Sequence, residues 1–211
     1  MKINQDLAEL IGAHIGDGSM GFYQNHFIIS FAGHPIKDKD YIDWIAQIYS
    51  KYFGIKPRIR KWSRALGFQI FSKEIFDFFK SMGIPSGKKL DIDIPTIIKK
   101  ADKTVLASCI RGVFDTDGTM YFEPKKTIYY PRIQLKITSE RLASTINHIL
   151  NEEFQIKSTL YSRRERPNWK ISYFVELRGV ENLRKWLKLI GFRNNRHMKK
   201  VKLWNESLNL Q

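Results

Sequence analysis

Cysteine is nearly absent from this chain of 211 residues, which contains only Cys109. A single thiol excludes an intramolecular disulfide and a cysteine-built zinc site, so we expect Cys109 to be a buried helix residue. No apolar run reaches the roughly 18 residues that a membrane-spanning helix requires, and no secretory signal segment opens the chain. We therefore expect a soluble protein without a membrane partner, cytoplasmic (at the nucleoid in a prokaryote) or organellar, and not secreted.

Acidic residues are also scarce. The chain has 36 Lys and Arg against 21 Asp and Glu, a formal net charge of +15. Clustered basic side chains bind polyphosphates through the release of counterions, so nucleic acid is the expected partner class. A hydrophobic content of 43% is enough for a folded core and argues against a disordered basic tail.

A nine-residue motif occurs twice in the chain. LIGAHIGDG at residues 10–18 is matched by IRGVFDTDG at residues 110–118, which places Asp17 and Asp117 100 residues apart. Each motif has the periodicity of a helix that ends in an acidic residue. The duplication predicts two half-sites with one carboxylate each.

The segments around the two motifs also follow each other in the same order. Helical periodicity and strand alternation predict an αββαββα unit in each half, with residues 85–102 as the connection. The predicted fold class is therefore α+β, a tandem pseudo-symmetric duplication with antiparallel sheets, divided into residues 1–98 and 99–211. The helices and hairpins are expected at residues 6–16, 20–31, 39–52, 56–71, 74–82, 104–115, 119–138, 140–153, 157–177 and 180–190.

Small residues recur every fourth position of both motifs. A stripe of this kind lets two helix backbones approach closely, which would bring the two C-terminal ends and their aspartates together. Gly18 and Gly118 suit a left-handed turn that ends such helices. The stripes consist of Ala8, Gly12 and Gly16 in the first half and Ser108, Gly112 and Thr116 in the second.

The paired motifs resemble those of the LAGLIDADG homing endonucleases in their single-chain form, and the resemblance covers essentially the whole chain. It implies a monomer that cuts double-stranded DNA at a long pseudo-palindromic site with Mg²⁺ or another divalent cation such as Mn²⁺. The family's metal-binding acidic residues fall on Asp17 and Asp117, preceded by Gly16 and Thr116 as further metal-site positions. The first motif departs from the family letters at residues 13–16, where it has AHIG.

VFDTDGT at residues 113–119 is also similar to the first motif of haloacid-dehalogenase-type phosphatases, in which Asp115 would be the nucleophile and Asp117 the acid/base. That family needs a later acidic residue, usually aspartate, to hold magnesium, but no Asp follows Asp117. The preceding residues have helical rather than strand spacing, and the first motif has Ile15 in place of Asp115. Asp115 is thus expected to be a supporting residue at the helix end.

The polar faces of the predicted strands are the expected DNA contacts. RIQLKIT at residues 132–138 alternates strictly, with polar side chains on one face and apolar side chains on the other. Arg and Gln on such a ribbon suit the base edges of a major groove. The predicted DNA-binding residues are Gln24, His26, Ser30, Arg58, Arg60, Lys61, Arg64, Lys125, Lys126, Arg132, Gln134, Tyr161, Arg163, Arg164, Arg166 and Lys170.

Basic residues are needed beside the carboxylates because negative charge builds on the phosphate during hydrolysis. The family resemblance places Lys136 in this role in the second half, whereas its counterpart in the first half is near Ala32; His34 or Lys37 could substitute. A second basic position follows each closing helix. It is expected at Lys88 or Lys89, with Lys88 preferred, and at Arg196.

Two alternatives remain open from sequence. The same fold could serve an RNA maturase that binds intron RNA, or a DNA-binding protein that does not cut; retention of both aspartates favours the nuclease. The chain begins at Met1 and lacks splice-junction residues such as an initial Cys or Ser and a terminal His-Asn pair. An intron-encoded or free-standing enzyme is therefore expected rather than an intein.

Overall fold

The computed structural model describes residues 2–124 and 129–208. Its first half has the predicted order αββαββα, with boundaries within a few residues of those expected. The elements are α1 (Gln5–Gly16), β1 (Gly18–Tyr23), β2 (His26–Gly33), α2 (Lys39–Phe53), β3 (Arg60–Trp62), β4 (Ala65–Phe71) and α3 (Lys73–Ser81).

The second half repeats this order and confirms the α+β duplication. Two helices were not predicted: α4 in the connection, where the expected division at residue 98 falls, and α8 after the closing helix. The elements are α4 (Thr96–Lys99), α5 (Lys103–Asp117), β5 (Gly118–Pro124), β6 (Tyr129–Ile137), α6 (Glu140–Glu152), β7 (Ser158–Arg163), β8 (Ser172–Arg178), α7 (Val180–Leu189) and α8 (Asn195–Leu208).

The two sheets share one antiparallel topology. Their strand orders are β1-β2-β4-β3 and β5-β6-β8-β7. Gly18 pairs with Phe31 and Gly118 with Leu135, so the motifs enter their sheets in the same register. The first hairpin of each half is therefore paired in the same register.

Side-chain caps fix where several helices begin. The N-cap side chain of each accepts a hydrogen bond from a main-chain N–H of the first turn, which satisfies a donor that the helix itself leaves unpaired. These caps are Asn4 of α1, Ser72 of α3, Asp102 of α5 and Ser139 of α6.

The stripe of small residues packs α1 directly against α5, as predicted. A Cβ on Gly12 would overlap the main-chain carbonyl of Cys109, and one on Gly112 would lie 2.7 Å from the amide nitrogen of Ala13. Only glycine permits this backbone contact, because any side chain would push the helices apart. Cys109 is buried in this interface, as expected.

The predicted left-handed turns at Gly18 and Gly118 are wrong. Gly118 has φ −83° and ψ 161°, an extended conformation, and Gly18 is not among the residues with positive φ. Glycine is needed for space instead. A Cβ on Gly18 would overlap the ring of His14, and one on Gly118 would lie 2.9 Å from the Cα of Phe114. The first residues of β1 and β5 thus lie in close contact with the last turn of the motif helix that precedes each strand.

The described helices include none that is long and apolar enough to cross a membrane.

Candidate metal and nucleic-acid site

The packing of α1 against α5 brings the two motif aspartates together at the helix ends. Asp117 is the last residue of α5, and Asp17 caps α1 by donating its N–H to the carbonyl of Ala13. Gly16 lies against the other motif: a Cβ there would lie 3.4 Å from Oδ2 of Asp117 and would overlap Thr116. The absence of a side chain at residue 16 therefore leaves room for the Asp117 carboxylate.

Burial and mutual repulsion shape the electrostatics of this pair. Burial, followed by the charge of Asp17, raises the pKa of Asp117 to about 6. Burial also raises the pKa of Asp17, while Arg196 and Lys89 act to lower it. Two buried carboxylates that repel each other favour binding of a cation at this point.

Lys89 and Arg196 occupy equivalent positions over the two helix ends. The Lys89 ammonium donates to the carbonyls of Ile15 and Gly18 at 2.9 and 2.7 Å, and also to that of Gly16. The Arg196 guanidinium donates to the carbonyls of residues 115, 116 and 118, which match 15, 16 and 18 in the duplication. Lys88, which the sequence analysis preferred, is exposed. Lys89 is the residue that contacts the end of α1.

Lys136 shares a cavity with Asp117, and its catalytic role stays a prediction. A cavity of about 230 Å³ is lined by Gly16, Lys89, Asp117 and Lys136, which come from both halves. The Lys136 ammonium forms an ion pair of 2.6 Å with Glu165 in the loop between β7 and β8. The strand register confirms that Ala32 is the counterpart of Lys136. Gly18 pairs with Phe31 and Gly118 with Leu135, and Ala32 and Lys136 are the residues that follow these partners.

A second cavity, of about 580 Å³, lies at the end of the second motif. His34 and Lys37 from the first half line it together with Thr116 and Arg196 from the second. The two residues that were expected to substitute for a strand lysine are thus close to a motif end.

The donor atoms at the helix ends fit a hard divalent cation. The carboxylates of Asp17 and Asp117 supply oxygen only, which is the ligand type that Mg²⁺ and Mn²⁺ prefer. The carbonyls of Gly16 and Thr116, the other predicted metal-site positions, already accept hydrogen bonds from Lys89 and Arg196. Residues 2–124 and 129–208 contain no cluster of three or more His, Cys, Asp or Glu that could hold a metal. A cation here would therefore depend on both motifs at once.

In the first sheet, the predicted DNA contacts are exposed except for Ser30, which is half-buried. Gln24 has φ 48° in the two-residue turn between β1 and β2, and Ser30 pairs across the strands with the exposed Gln69. Sequence analysis missed Gln69, although the alternation of β4 places it on the same face as Ser30. Exposed with it are His26, Arg58, Arg60, Lys61 and Arg64.

In the second sheet, one predicted DNA contact is already occupied. Arg132 forms ion pairs with Glu176 at 2.9 Å and Glu123 at 2.5 Å, and its side chain is 17% exposed. Glu176 also binds Arg178 and accepts a hydrogen bond from Tyr121. Arg132 therefore fixes neighbouring strands and is not an open base-reading group. Sequence analysis predicted the face of the strand on which Arg132 lies, but it did not predict the partners of the Arg132 side chain.

Other predicted contacts of the second half remain accessible. Gln134 donates to the hydroxyl of Tyr161 at 3.0 Å, which places the pair together on the polar face. Arg166 stacks over Trp169 at 4.5 Å in the loop after β7. Arg163, Arg164 and Lys170 are also exposed there. Lys125 and Lys126 lie outside the described residues.

The phosphatase alternative conflicts with the geometry. Asp115 lies in the last turn of α5 rather than at the end of a strand, and it is completely buried. Its Oδ2 accepts the main-chain N–H of Arg193 at 2.7 Å. Asp115 thus has a supporting role at the helix end, as expected.

Comparisons with known proteins agree with this architecture. Residues 104–191 match the model of a LAGLIDADG-like domain. The replication factor C small subunit of Methanocaldococcus jannaschii is 30% identical over 202 residues, 94% of this chain but 10% of that protein. The tRNA-splicing ligase RtcB of Methanopyrus kandleri is 22% identical over 208 residues, 88% of this chain and 20% of that protein. The chain thus spans a tenth to a fifth of the length of these relatives.

Solved structures share the fold. I-DmoI in complex with DNA and Mn has a TM-score of 0.65 and 16% identity, covering 90% of this chain and 98% of that one. The homing endonuclease I-WcaI bound to its DNA recognition sequence has a TM-score of 0.63 and 14% identity, with coverages of 93% and 86%. Full-length DUF199/WhiA from Thermatoga maritima reaches a TM-score of 0.57 at 15% identity, covering 97% of this chain and 60% of that one.

Proposed function

Because this chain belongs to the LAGLIDADG family, we propose that it is a divalent-metal-dependent, site-specific endonuclease that cuts both strands of a long pseudo-palindromic DNA site. The observation that carries this proposal is the convergence of Asp17 and Asp117 at the paired helix ends. Burial and the charge of Asp17 raise the pKa of Asp117 to about 6, so the pair favours a bound cation. One chain supplies both half-sites, so we propose a monomer.

The chain's own residues account for positioning and charge. A divalent cation held by the two carboxylates would polarise a phosphate oxygen and lower the pKa of an attacking water. Lys89 and Arg196 hold the helix ends by donating to their last carbonyls. Lys136, in the cavity beside Asp117, contacts the phosphate on that side and stabilises the charge that develops there.

The two sheets would read two different half-sites. The described polar face of the first sheet presents Ser30 and Gln69 side by side, whereas the second holds Arg132 and Arg178 on the carboxylate of Glu176. A target with two unequal halves follows from this difference, because the donors and acceptors offered to the major groove differ.

We also propose that the enzyme promotes the mobility of the DNA that encodes it. The relatives have unrelated names, a replication factor subunit and an RNA ligase, yet each matches this chain over a small part of its length. This favours a module carried inside host proteins, an intein, over the intron-encoded enzyme that we expected from sequence. Sequencing the genomic locus distinguishes the two, since an intein lies in frame within a host gene.

Binding and cutting can be tested without knowing the target. DNA bound by the wild type in Ca²⁺ is selected from a random library, and the selected site is then incubated with Mg²⁺ or Mn²⁺. The wild type should cut both strands, whereas Asp117→Asn and Asp17→Asn should bind the site and fail to produce the double-strand cut. Binding without nicking by the wild type in every cation would reject the nuclease and favour a DNA-binding protein. Tighter binding of structured intron RNA than of the selected DNA in a direct competition would favour a maturase.

A further inference from the structure

The halves differ in one loop next to the motif ends, and this difference bears on the proposed endonuclease. Between the end of β2 and the N-cap of α2, Asp38, the chain has four residues, 34–37. Between the end of β6 and the N-cap of α6, Ser139, it has one, Thr138. The first half thus carries extra residues close to Ala32, where it lacks the lysine that the second half has.

Hydrogen bonds hold this loop in one conformation. Nδ1 of His34 accepts the main-chain N–H groups of Ile36 and Lys37, both at 3.2 Å. The Asp38 carboxylate accepts the N–H of His34 at 2.8 Å and a bond from the Asn194 side chain at the same distance. The loop is therefore built onto the second half, and the backbone of Lys37 has a defined position.

Lys37 lines the 580 Å³ cavity at the end of the second motif, where positive charge is concentrated. Arg196, Lys199 and Lys200 line the same cavity, and its described lining contains no Asp or Glu. The Lys200 ammonium is held by the carbonyl of Met120, and burial together with Arg196 and Lys37 lowers its pKa. Arg196 is paired with Asp38 at 3.3 Å, whereas Lys37 is exposed and no ion pair is found for its ammonium among the described residues. An anion would relieve this repulsion.

Thr116 and Arg196 in this cavity match Gly16 and Lys89 in the cavity that Lys136 shares with Asp117, so by the duplication the Lys37 cavity corresponds to Asp17. We propose that it binds a backbone phosphate of DNA, and that Lys37 contacts the scissile phosphate of the strand cut beside Asp17. Its role there matches that of Lys136 beside Asp117, with the ammonium supplied by a loop instead of a strand. Hydrolysis forms a bond from a water oxygen to phosphorus and breaks the bond from phosphorus to one deoxyribose oxygen. The water loses a proton and the leaving oxygen gains one, while Lys37 keeps its protons and stabilises the charge on the phosphate.

Separate measurement of the two strands tests the assignment. In Lys37→Met, cleavage of one strand of the selected site should fall by about 100-fold, as expected for loss of one charge-stabilising donor. The other strand should be cut at the wild-type rate, which leaves nicked circles, and Lys136→Met should spare the opposite strand. Lys39→Met is the matched control, since Lys39 is exposed and paired with Asp43 at 2.5 Å.

A binding measurement without metal keeps this inference separate from nuclease activity. The logarithm of the association constant falls with the logarithm of salt concentration, with a slope that reports the phosphates neutralised. Lys37→Met should reduce that slope by about 1, and Lys39→Met should leave it unchanged. If the wild type cuts neither strand, the proposed function fails. The change in this slope in Lys37→Met still tests whether the cavity binds a phosphate. An unchanged slope, or equal slowing of both strands in Lys37→Met, would overturn the inference.

Discussion

Glu9 of α1 and Arg111 of α5 form an ion pair of 2.6 Å between the two halves, and the Glu9 side chain has no exposed surface. Arg193, which precedes α8, binds the same carboxylate at 2.7 Å. Both partners of this first-half charge therefore come from the second half. The pair joins α1 to α5 across the helix interface.

Loss of the Glu9 charge should destabilise the whole chain. Glu9→Ala leaves two guanidinium groups without their buried partner, and breaking a buried pair in this way typically costs about 3–5 kcal/mol. Urea unfolding followed by circular dichroism measures the change. Asp6→Asn is the control on the same helix, because its pair with Lys51 is partly exposed and should be worth about 1 kcal/mol or less. Equal losses in the two variants would mean that Glu9 does not tie the halves together.

A single methyl group at the helix crossing should be poorly tolerated. Gly12→Ala places a Cβ on the carbonyl of Cys109, and relief requires α1 and α5 to move apart. We expect a loss of about 1–3 kcal/mol in unfolding free energy together with loss of cutting, since the motif aspartates separate. Gly21→Ala on β1 is the matched control, because a Cβ there has no neighbour within 4 Å. Wild-type thermal stability in Gly12→Ala would contradict the close packing.

Glu165 should compete with DNA for Lys136. Their ion pair is partly exposed, so its removal should strengthen metal-free DNA binding by about fivefold at most, equivalent to about 1 kcal/mol. Fluorescence anisotropy with Glu165→Gln measures this gain, which should shrink at high salt. Glu181→Gln removes the same charge from an exposed pair with Lys185 on α7. A similar gain in that control would show that only net charge matters.

Stability should fall in acid partly because of His197. Burial, followed by the charges of Arg196 and Lys200, lowers the pKa of His197 to about 3 from an ordinary 6.5. The unfolded chain takes up this proton below pH 6.5 and the folded chain does not, so stability is lost as pH falls from 6.5 toward 3. The slope is up to about 1.4 kcal/mol per pH unit.

Unfolding in urea at several pH values isolates this contribution. His197→Phe keeps a ring against Phe192 and should unfold with a shallower dependence on pH below 6.5. His148→Gln replaces an exposed histidine and should retain the wild-type slope. If both variants retain it, His197 is not the group responsible.

The repeated elements could be predicted because local patterns encode them. The stripe of small residues through Gly12 and Gly112 predicted the helix crossing, and alternation around Gln134 predicted which face of β6 is polar. Helix α8 was missed, although His197, Val201 and Trp204 recur at helical spacing and are buried. A run dominated by basic residues hid that pattern.

Partners across the chain were harder to predict, because they depend on how distant segments meet. Sequence analysis preferred Lys88 to Lys89 in an irregular segment, but the ammonium that reaches the end of α1 is that of Lys89. Arg132 was assigned to DNA from the alternation of its strand, and its partner Glu176 gave no local signal because it lies 44 residues away on another strand. Asp38 and Asn194 had no local signal at all, since their hydrogen bond joins positions 156 residues apart.

The glycine contacts between α1 and α5 involve main-chain atoms, so they do not depend on which side chains the partner half has. The Glu9 carboxylate does depend on the partner half, because it pairs with guanidinium groups at residues 111 and 193. Hybrid proteins made by exchanging halves between two such chains should therefore pack well at the glycines and be unstable where this charge is unmatched. Transferring residue 9 together with its two partners is the simplest rule for recombining halves with new DNA preferences.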